Sequence, residues 1–338
     1  MKAAVYKGQQ QFSIEEVATP SPGPGQVLVR VKYSAICGTD VHGFLYDVVP
    51  PGSVMGHEYC GAIAELGPDT SRWRVGDRVV GGGGVNPSGV ERAARSEPRY
   101  NFRTMGYTAQ ALRAYAEYVV LEEWEPIPIP EGVSDEVAAL CEPCSVAVHA
   151  VRESKLKLGD AVVVLGAGPI GMFCLQVARA AGAGSVIVSE PAPARKDAAL
   201  ELGADAVIDP TEEDVIERVV ELTGGRGPDV VFDCAGAGST LDQAMSMVRR
   251  GGQVVLVALA WEPTSVLPVD WIAREINLRA SFGALSHEWQ IALELMKTGK
   301  VNVAPMVPSE SYVPLDYIQE VFDSQRQPST QRQMVVRP

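Results

Sequence analysis

The junction at residues 161–171 restricts the fold more than any other part of this chain. Ala161-Val162-Val163-Val164-Leu165 is continuous, apolar and valine-rich, as a strand buried on both faces of a parallel sheet should be. It runs directly into Gly166-Ala167-Gly168-Pro169-Ile170-Gly171, and a helical stretch follows from Pro169 to about Ala181. A glycine at each of three positions has a physical task. Gly166 permits a tight turn, Gly168 lets a ligand's pyrophosphate approach the backbone, and Gly171 lets helix and strand pack closely. Pro169 and Ile170 fill the first helical turn between them, where free amides favour an anion. The alternation continues through Ser185–Ser189, a helix from about Ala194 to Leu202, Ala206–Ile208, Asp229–Asp233 and Gln253–Val257. That rhythm predicts an α/β fold with a doubly wound parallel sheet.

A glycine-rich turn in this context predicts a dinucleotide. Glu190 ends the second strand, where an acidic side chain takes the ribose hydroxyls and repels a 2′-phosphate. NAD is therefore the expected cofactor, although Arg195, a few residues on, is a cation that favours the phosphorylated form. A plain strand–turn–helix with an incidental glutamate is the alternative reading.

Upstream lies a second constellation: Cys37 in Cys37-Gly38-Thr39-Asp40-Val41-His42, His57 and Glu58 after Gly56, and Glu142 in Cys141-Glu142-Pro143. A thiolate, an imidazole and a carboxylate are what a catalytic zinc takes, with one position left open. Each alone admits a plainer role. Cys37 would serve as buried filler, His57-Glu58 as ordinary polarity, and Glu142 as a helix cap. Cys141 and Cys144 also read as C-x-x-C, without a second such pair to complete a metal site. The coincidence of this set with a cofactor turn favours hydride-transfer chemistry at zinc.

Composition excludes other classes. A net charge of −13 argues against nucleic acid and anionic membranes as partners. The longest apolar runs are too short to span a bilayer, and the start Met1–Lys7 lacks a signal peptide's apolar stretch. Six cysteines, Cys37, Cys60, Cys141, Cys144, Cys174 and Cys234, are then expected as reduced thiols in a cytoplasmic protein. Cys60, Cys174 and Cys234 are expected to pack as small hydrophobes. The first third is β-rich: Gln26–Tyr33 largely alternates apolar and polar residues, as a half-buried strand does. A further helix is expected near Glu288–Thr298.

With these motifs in hand, the chain resembles the zinc-dependent medium-chain dehydrogenases, which include alcohol, sorbitol and threonine dehydrogenases. The likeness runs from Met1-Lys2-Ala3-Ala4-Val5 through Cys37–His42, Gly56-His57-Glu58, Val75-Gly76-Asp77-Arg78-Val79 and the glycine fingerprint. Cys141-Glu142-Pro143-Cys144-Ser145 is most similar to the polyol and butanediol branch. The resemblance implies a discontinuous GroES-like catalytic domain (1–147 and 279–338) around a Rossmann NAD-binding domain (148–278). It implies Cys37 and His57 as zinc ligands, Glu58 and Glu142 as a direct and an alternating or water-mediated ligand, Thr39 as the hydroxyl that takes the substrate proton, and His42 as its route to solvent. A hydrogen-bonded structural histidine is the other reading of His42, and His149 is expected to be structural. It implies a homo-oligomer, dimer or tetramer, joined near Glu275–Phe282.

The chain also departs from the family. Relatives hold a second zinc with four cysteines after the Gly-Asp-Arg-Val turn; Gly81–Tyr107 has none, so no structural zinc is expected. Arg113-Ala114 stands where Gly-Gly is common, and Ser281-Phe282-Gly283 lacks an arginine often found nearby in polyol enzymes. The expected reaction interconverts a secondary alcohol, a polyol or vicinal diol, and its ketone. Threonine-type amino alcohols and aminocyclitols are the next substrate classes. A zinc-free quinone-type reductase is disfavoured by the complete ligand set, and a non-catalytic nucleotide-binding protein by the hydroxyl at Thr39.

Overall fold

The computed structural model describes residues 1–82, 113–261, 263–326 and 332–338. Two compact units divide the chain: Met1–Glu142 with Ser309–Ser329 and Gln333–Pro338, and Pro143–Pro308 with Thr330–Arg332. From residue 83 on, the lobe expected at Gly81–Tyr107, with its expected lack of structural zinc, lies outside the described residues.

The first unit is built on a mixed sheet. Its central strand, Gln26–Ala35, pairs antiparallel with Glu58–Leu66, with Tyr118–Glu122 and with Val335–Arg337. Alternation of buried Val27, Val29 and Val31 puts one face of this strand into a core with Ile63, Trp73, Val79 and Leu121. A hairpin, Lys2–Gly8 with Gln11–Glu16, packs a second core. There Phe12 stacks on Phe44 with ring centroids 5.6 Å apart, and Phe322 completes the cluster. Each such ring removed from water stabilises by roughly 1.5–3 kcal/mol. This packing fixes the short helix Gly38–Leu45, which carries Phe44 on its buried side.

In the second unit six parallel strands follow the order Ala206–Ile208, Ser185–Ser189, Ala161–Leu165, Val230–Asp233, Gln253–Leu256, Asn277–Ala280. In chain order this is 3-2-1-4-5-6, whose topological switch point falls beside Ala161–Leu165. The strand expected from the valine run and the helix expected from Pro169 are both present, the helix spanning Pro169–Ala180. The helix Ser286–Lys297 belongs to this unit, whereas the sequence reading assigned it to the other domain. It is tied in by Glu288, whose buried carboxylate meets His149 Nδ1 at 2.9 Å and Arg152 Nε at 3.3 Å. Among the described residues no helix is long and apolar enough to cross a membrane.

Candidate metal centre and dinucleotide site

Cys37 is the N-cap of Gly38–Leu45, with extended backbone and its sulfur accepting from the Thr39 amide at 3.4 Å. Strand pairing brings the other ligands to it. Glu58 is opposite Ala35 in register, so His57 and Glu58 arrive beside the end of the strand that leads to Cys37. Gly56 makes the entry turn with φ of +96°, and a Cβ there would lie 2.7 Å from the Tyr115 ring. No other residue fits that backbone and that contact. Cys37, His57 and Glu58 each offer a ligand atom, and these atoms lie within 4.8 Å of one another. Glu142, in the first turn of Cys141–Glu153, stands outside this close group, yet its charge is felt by Glu58.

The electrostatics of the cluster call for a cation. Glu58 is 2% exposed, and burial together with the Glu142 charge pushes its pKa up to about 8. Burial, with Glu58 beside it, lifts the Cys37 thiol to about 11. A thiol and a carboxylate whose anionic forms are disfavoured in isolation, Cys37 and Glu58, are what a divalent ion would stabilise together.

Asp40, which the sequence reading quoted but gave no role, orients the set. Its Oδ1 lies 3.5 Å from His57 Nδ1, and its Oδ2 accepts from the Tyr115 hydroxyl at 2.7 Å. Burial opposes an anionic Asp40, but His57, Tyr115 and Arg113 together hold its pKa down. Burial likewise opposes a charged His57, and Asp40 and Cys37 outweigh it. With Nδ1 engaged by a carboxylate, Nε2 is the nitrogen left to ligate. Gln333 supports the other side, its Nε2 donating to Glu58 Oε2 at 3.3 Å and to the Ile36 carbonyl at 3.0 Å. Aspartate three residues after the cysteine was a readable signal; nothing in the sequence pointed to Tyr115 or Gln333. Thr39 sits in the first turn of the helix and His42 in its last, where burial lowers the imidazole pKa.

In the second unit, Gly166 has φ of +88° and Gly168 caps the helix without a side-chain hydrogen bond. A Cβ on Gly171 would lie 1.8 Å from the Gly166 carbonyl oxygen, so only glycine packs there. A Cβ on Gly168 would meet nothing within 4 Å, which leaves the loop open to a ligand at its backbone. Pro169 and Ile170 open the helix, with Pro169 at its first position. Glu190 is 3% exposed; Oε2 accepts from the Ala167 amide at 2.7 Å and Oε1 from Ala192 at 2.9 Å. It thus ties the glycine loop to the next strand, a task the sequence did not announce, and each oxygen retains a lone pair for a hydroxyl. Burial lowers the pKa of Arg195, and the charge of Glu190 acts against that fall. Cys60 is buried and donates to the Asp135 carbonyl at 3.0 Å, and Cys174 is also buried. Cys234 departs from its expected burial: it is half-buried, because it lies in the loop after Val230–Asp233 and not within the strand.

Known proteins resemble this chain along its whole length. Residues 23–131 match the alcohol dehydrogenase GroES-like domain, and residues 169–298 match the zinc-binding dehydrogenase domain. The chain is 34% identical to (R,R)-butanediol dehydrogenase of Bacillus subtilis strain 168 over the whole of both chains. It is 35% identical to sorbitol dehydrogenase of Halalkalibacterium halodurans, with 92% of each chain covered. A putative zinc-binding dehydrogenase of Sinorhizobium meliloti 1021, solved bound to NADP, superposes with a TM-score of 0.87 at 31% identity, covering 100% of this chain and 99% of that one. The chain belongs to the zinc-dependent medium-chain dehydrogenase family. Within it, the relatives make it an enzyme of the alcohol and polyol class, acting on a small alcohol or ketone.

Proposed function

We propose that this chain interconverts a polyol or vicinal diol and its ketone with one zinc ion, held by Cys37, His57 and Glu58, and with NAD. The observation that carries the reading is the 4.8 Å cluster of a thiol, an imidazole and a carboxylate. Glu142, whose charge acts on Glu58, would be the alternating or water-mediated ligand. Zinc supplies Lewis acidity at the substrate oxygen and NAD accepts the hydride. The protein's own groups handle the proton. Thr39 Oγ1, two residues from Cys37, takes it from the alcohol, and the neutral imidazole that burial favours at His42 passes it to solvent. Asp40 holds the His57 ring, and Gln333 holds Glu58.

Gly166, Gly168, Pro169, Ile170 and Gly171 would carry the pyrophosphate, and Glu190 the ribose, with Arg195 beside it. The Glu190 carboxylate disfavours a 2′-phosphate, so NAD is the preferred form. Self-association is proposed at the sheet edge Asn277–Ala280, where Leu267, Val269, Ile272 and Leu278 are exposed. Light scattering of the purified protein would read dimer, tetramer or monomer. The free cysteines suit a reducing compartment such as the cytoplasm.

The test is zinc per subunit by elemental analysis together with NAD and NADP reduction on a panel of diols and polyols. One zinc with NAD-dependent turnover supports the reading. Turnover retained by zinc-free protein would move the chain to the zinc-free reductases.

A further inference from the structure

The second unit holds a cavity of about 340 Å³ at the edge of its parallel sheet, lined by Lys155, Lys157, Asp160, Asp229, Arg249 and Gln253 among others. Asp160 and Asp229 immediately precede the strands Ala161–Leu165 and Val230–Asp233, and Gln253 begins Gln253–Leu256. The cavity therefore lies where the strands start, whereas the glycine loop follows Leu165 at the opposite edge. A volume of this order suits a small ligand.

Gln253 is 4% exposed, and its Oε1 accepts from the Lys155 amide at 2.6 Å. Its Nε2 has no acceptor among the described residues and is not sealed in, so this buried donor opens onto the cavity that Gln253 lines. A donor so placed calls for an acceptor in that space. Arg249 bonds Asp229 through Nε and the Arg250 carbonyl through Nη1, which leaves Nη2 without a partner among the described residues. Lys157 Nζ is likewise unpartnered there, and Lys155 Nζ, held by Asn277 Oδ1 at 2.6 Å, keeps two further hydrogens.

Charge at this edge runs against that of the chain. Asp229 is fully engaged by Arg226 at 2.9 and 2.8 Å, by Arg249 and by the Ala161 amide. Asp160 lines the cavity as well, its Oδ2 accepting from the Lys157 amide at 2.8 Å. Lys155, Lys157, Arg226 and Arg249 thus outnumber two carboxylates, in a chain whose net charge is −13. A carboxylate ligand offers one charge and two oxygens to such a set. A phosphate offers up to two charges and three oxygens, which matches it better.

We propose that this cavity binds a small phosphorylated molecule, at a site separate from the glycine loop. Gln253 Nε2, Arg249 Nη2 and the two lysines take the phosphate, and the remaining volume takes the group esterified to it. The site is independent of the zinc reading.

Isothermal titration of the purified protein with ribose 5-phosphate at constant ionic strength tests this, with ribose and inorganic phosphate for comparison. The expected result is one saturable site per chain for ribose 5-phosphate, weaker binding of inorganic phosphate and none of ribose, unchanged by saturating NAD. Lys157→Glu and Gln253→Glu should each raise Kd about tenfold or more, as loss of a charge-assisted contact requires. Gln253→Glu keeps the acceptor for the Lys155 amide and removes the donor, while Lys157 is exposed, so that its replacement leaves the fold intact. Lys300→Glu makes the same charge change at a residue that does not line the cavity and should leave Kd unaltered. No saturable binding by the wild type would overturn the proposal, as would an unchanged Kd in both Lys157→Glu and Gln253→Glu. Binding abolished by NAD would assign the phosphate to the glycine loop, and inorganic phosphate binding as tightly as the ester would reduce the cavity to a site for a bare anion; either overturns it.

Discussion

The carboxylate of Glu190 accepts a hydrogen bond from the amide of Ala167 at 2.7 Å, inside the glycine loop. One side chain therefore shapes the loop and, on the proposed function, would also hold the ribose. Glu190→Ala should weaken NAD binding by about tenfold or more, since a charge-assisted bond contributes about 1.5–3 kcal/mol. It should also relax discrimination against NADP. Glu190→Gln keeps the shape and one acceptor oxygen, so it should retain more NAD affinity than alanine. Cofactor titration by fluorescence separates the two, and equal losses in both variants would mean that the charge alone matters.

Cys37→Ser should lower bound zinc well below one per subunit and abolish turnover, while NAD affinity survives because the glycine loop lies in the other unit. Elemental analysis and cofactor titration on one preparation check both halves. Unchanged zinc content would remove Cys37 from the ligand set.

Asp40→Asn removes the charge that holds His57 Nδ1 and accepts from Tyr115. Loss of such a supporting carboxylate typically costs 10–100-fold in metal affinity or activity. A chelator-competition titration should show zinc leaving the variant at a correspondingly lower chelator concentration. Tyr115→Phe should show a smaller change in the same direction.

Asp229 gives a pH prediction away from the site. Burial opposes its ionisation, but Arg226, at 2.9 and 2.8 Å, the Ala161 amide and Arg249 outweigh it and hold its pKa at about 2. A carboxylate depressed on folding stabilises above its unfolded pKa, about 3.9, and that contribution disappears as pH falls through about 2. The shift corresponds to about 2 kcal/mol. Asp229→Asn should therefore be less stable than wild type at pH 7, with the gap narrowing as pH falls from 4 toward 2. Urea unfolding at a series of pH values reads this directly. A gap independent of pH would mean that shape, not ionisation, holds this corner.

Much of this was legible in the sequence because local rules dominated. The valine run before Gly166 had one natural reading as a strand, and the steric needs of Gly166 and Gly171 are set within a few residues of chain. Cys37, His57 and Glu58 were visible as donor types. What was not legible came from distant partners. Tyr115 and Gln333 have side chains that serve many purposes, and only the folded sheet shows that one holds Asp40 and the other Glu58. The extra task of Glu190 was hidden because its amide partners belong to the backbone, which every sequence supplies equally. The division of the chain was hard to read near residue 286, where the buried Glu288 joins His149 through a contact spanning 139 residues.

The missing side chain of Gly56 has a consequence for the order of events as the protein forms. It leaves room for the Tyr115 ring, which holds Asp40 across 75 residues, while Glu58 is held by Gln333 across 275. Cys37, His57 and Glu58 leave the ribosome early, but the groups that aim them arrive late. High-affinity metal capture therefore waits for long-range closure of the sheet, a slow class of event. On the proposed ligand set, zinc taken up in a nascent chain would be loosely held, and tight binding would mark a chain that has finished folding.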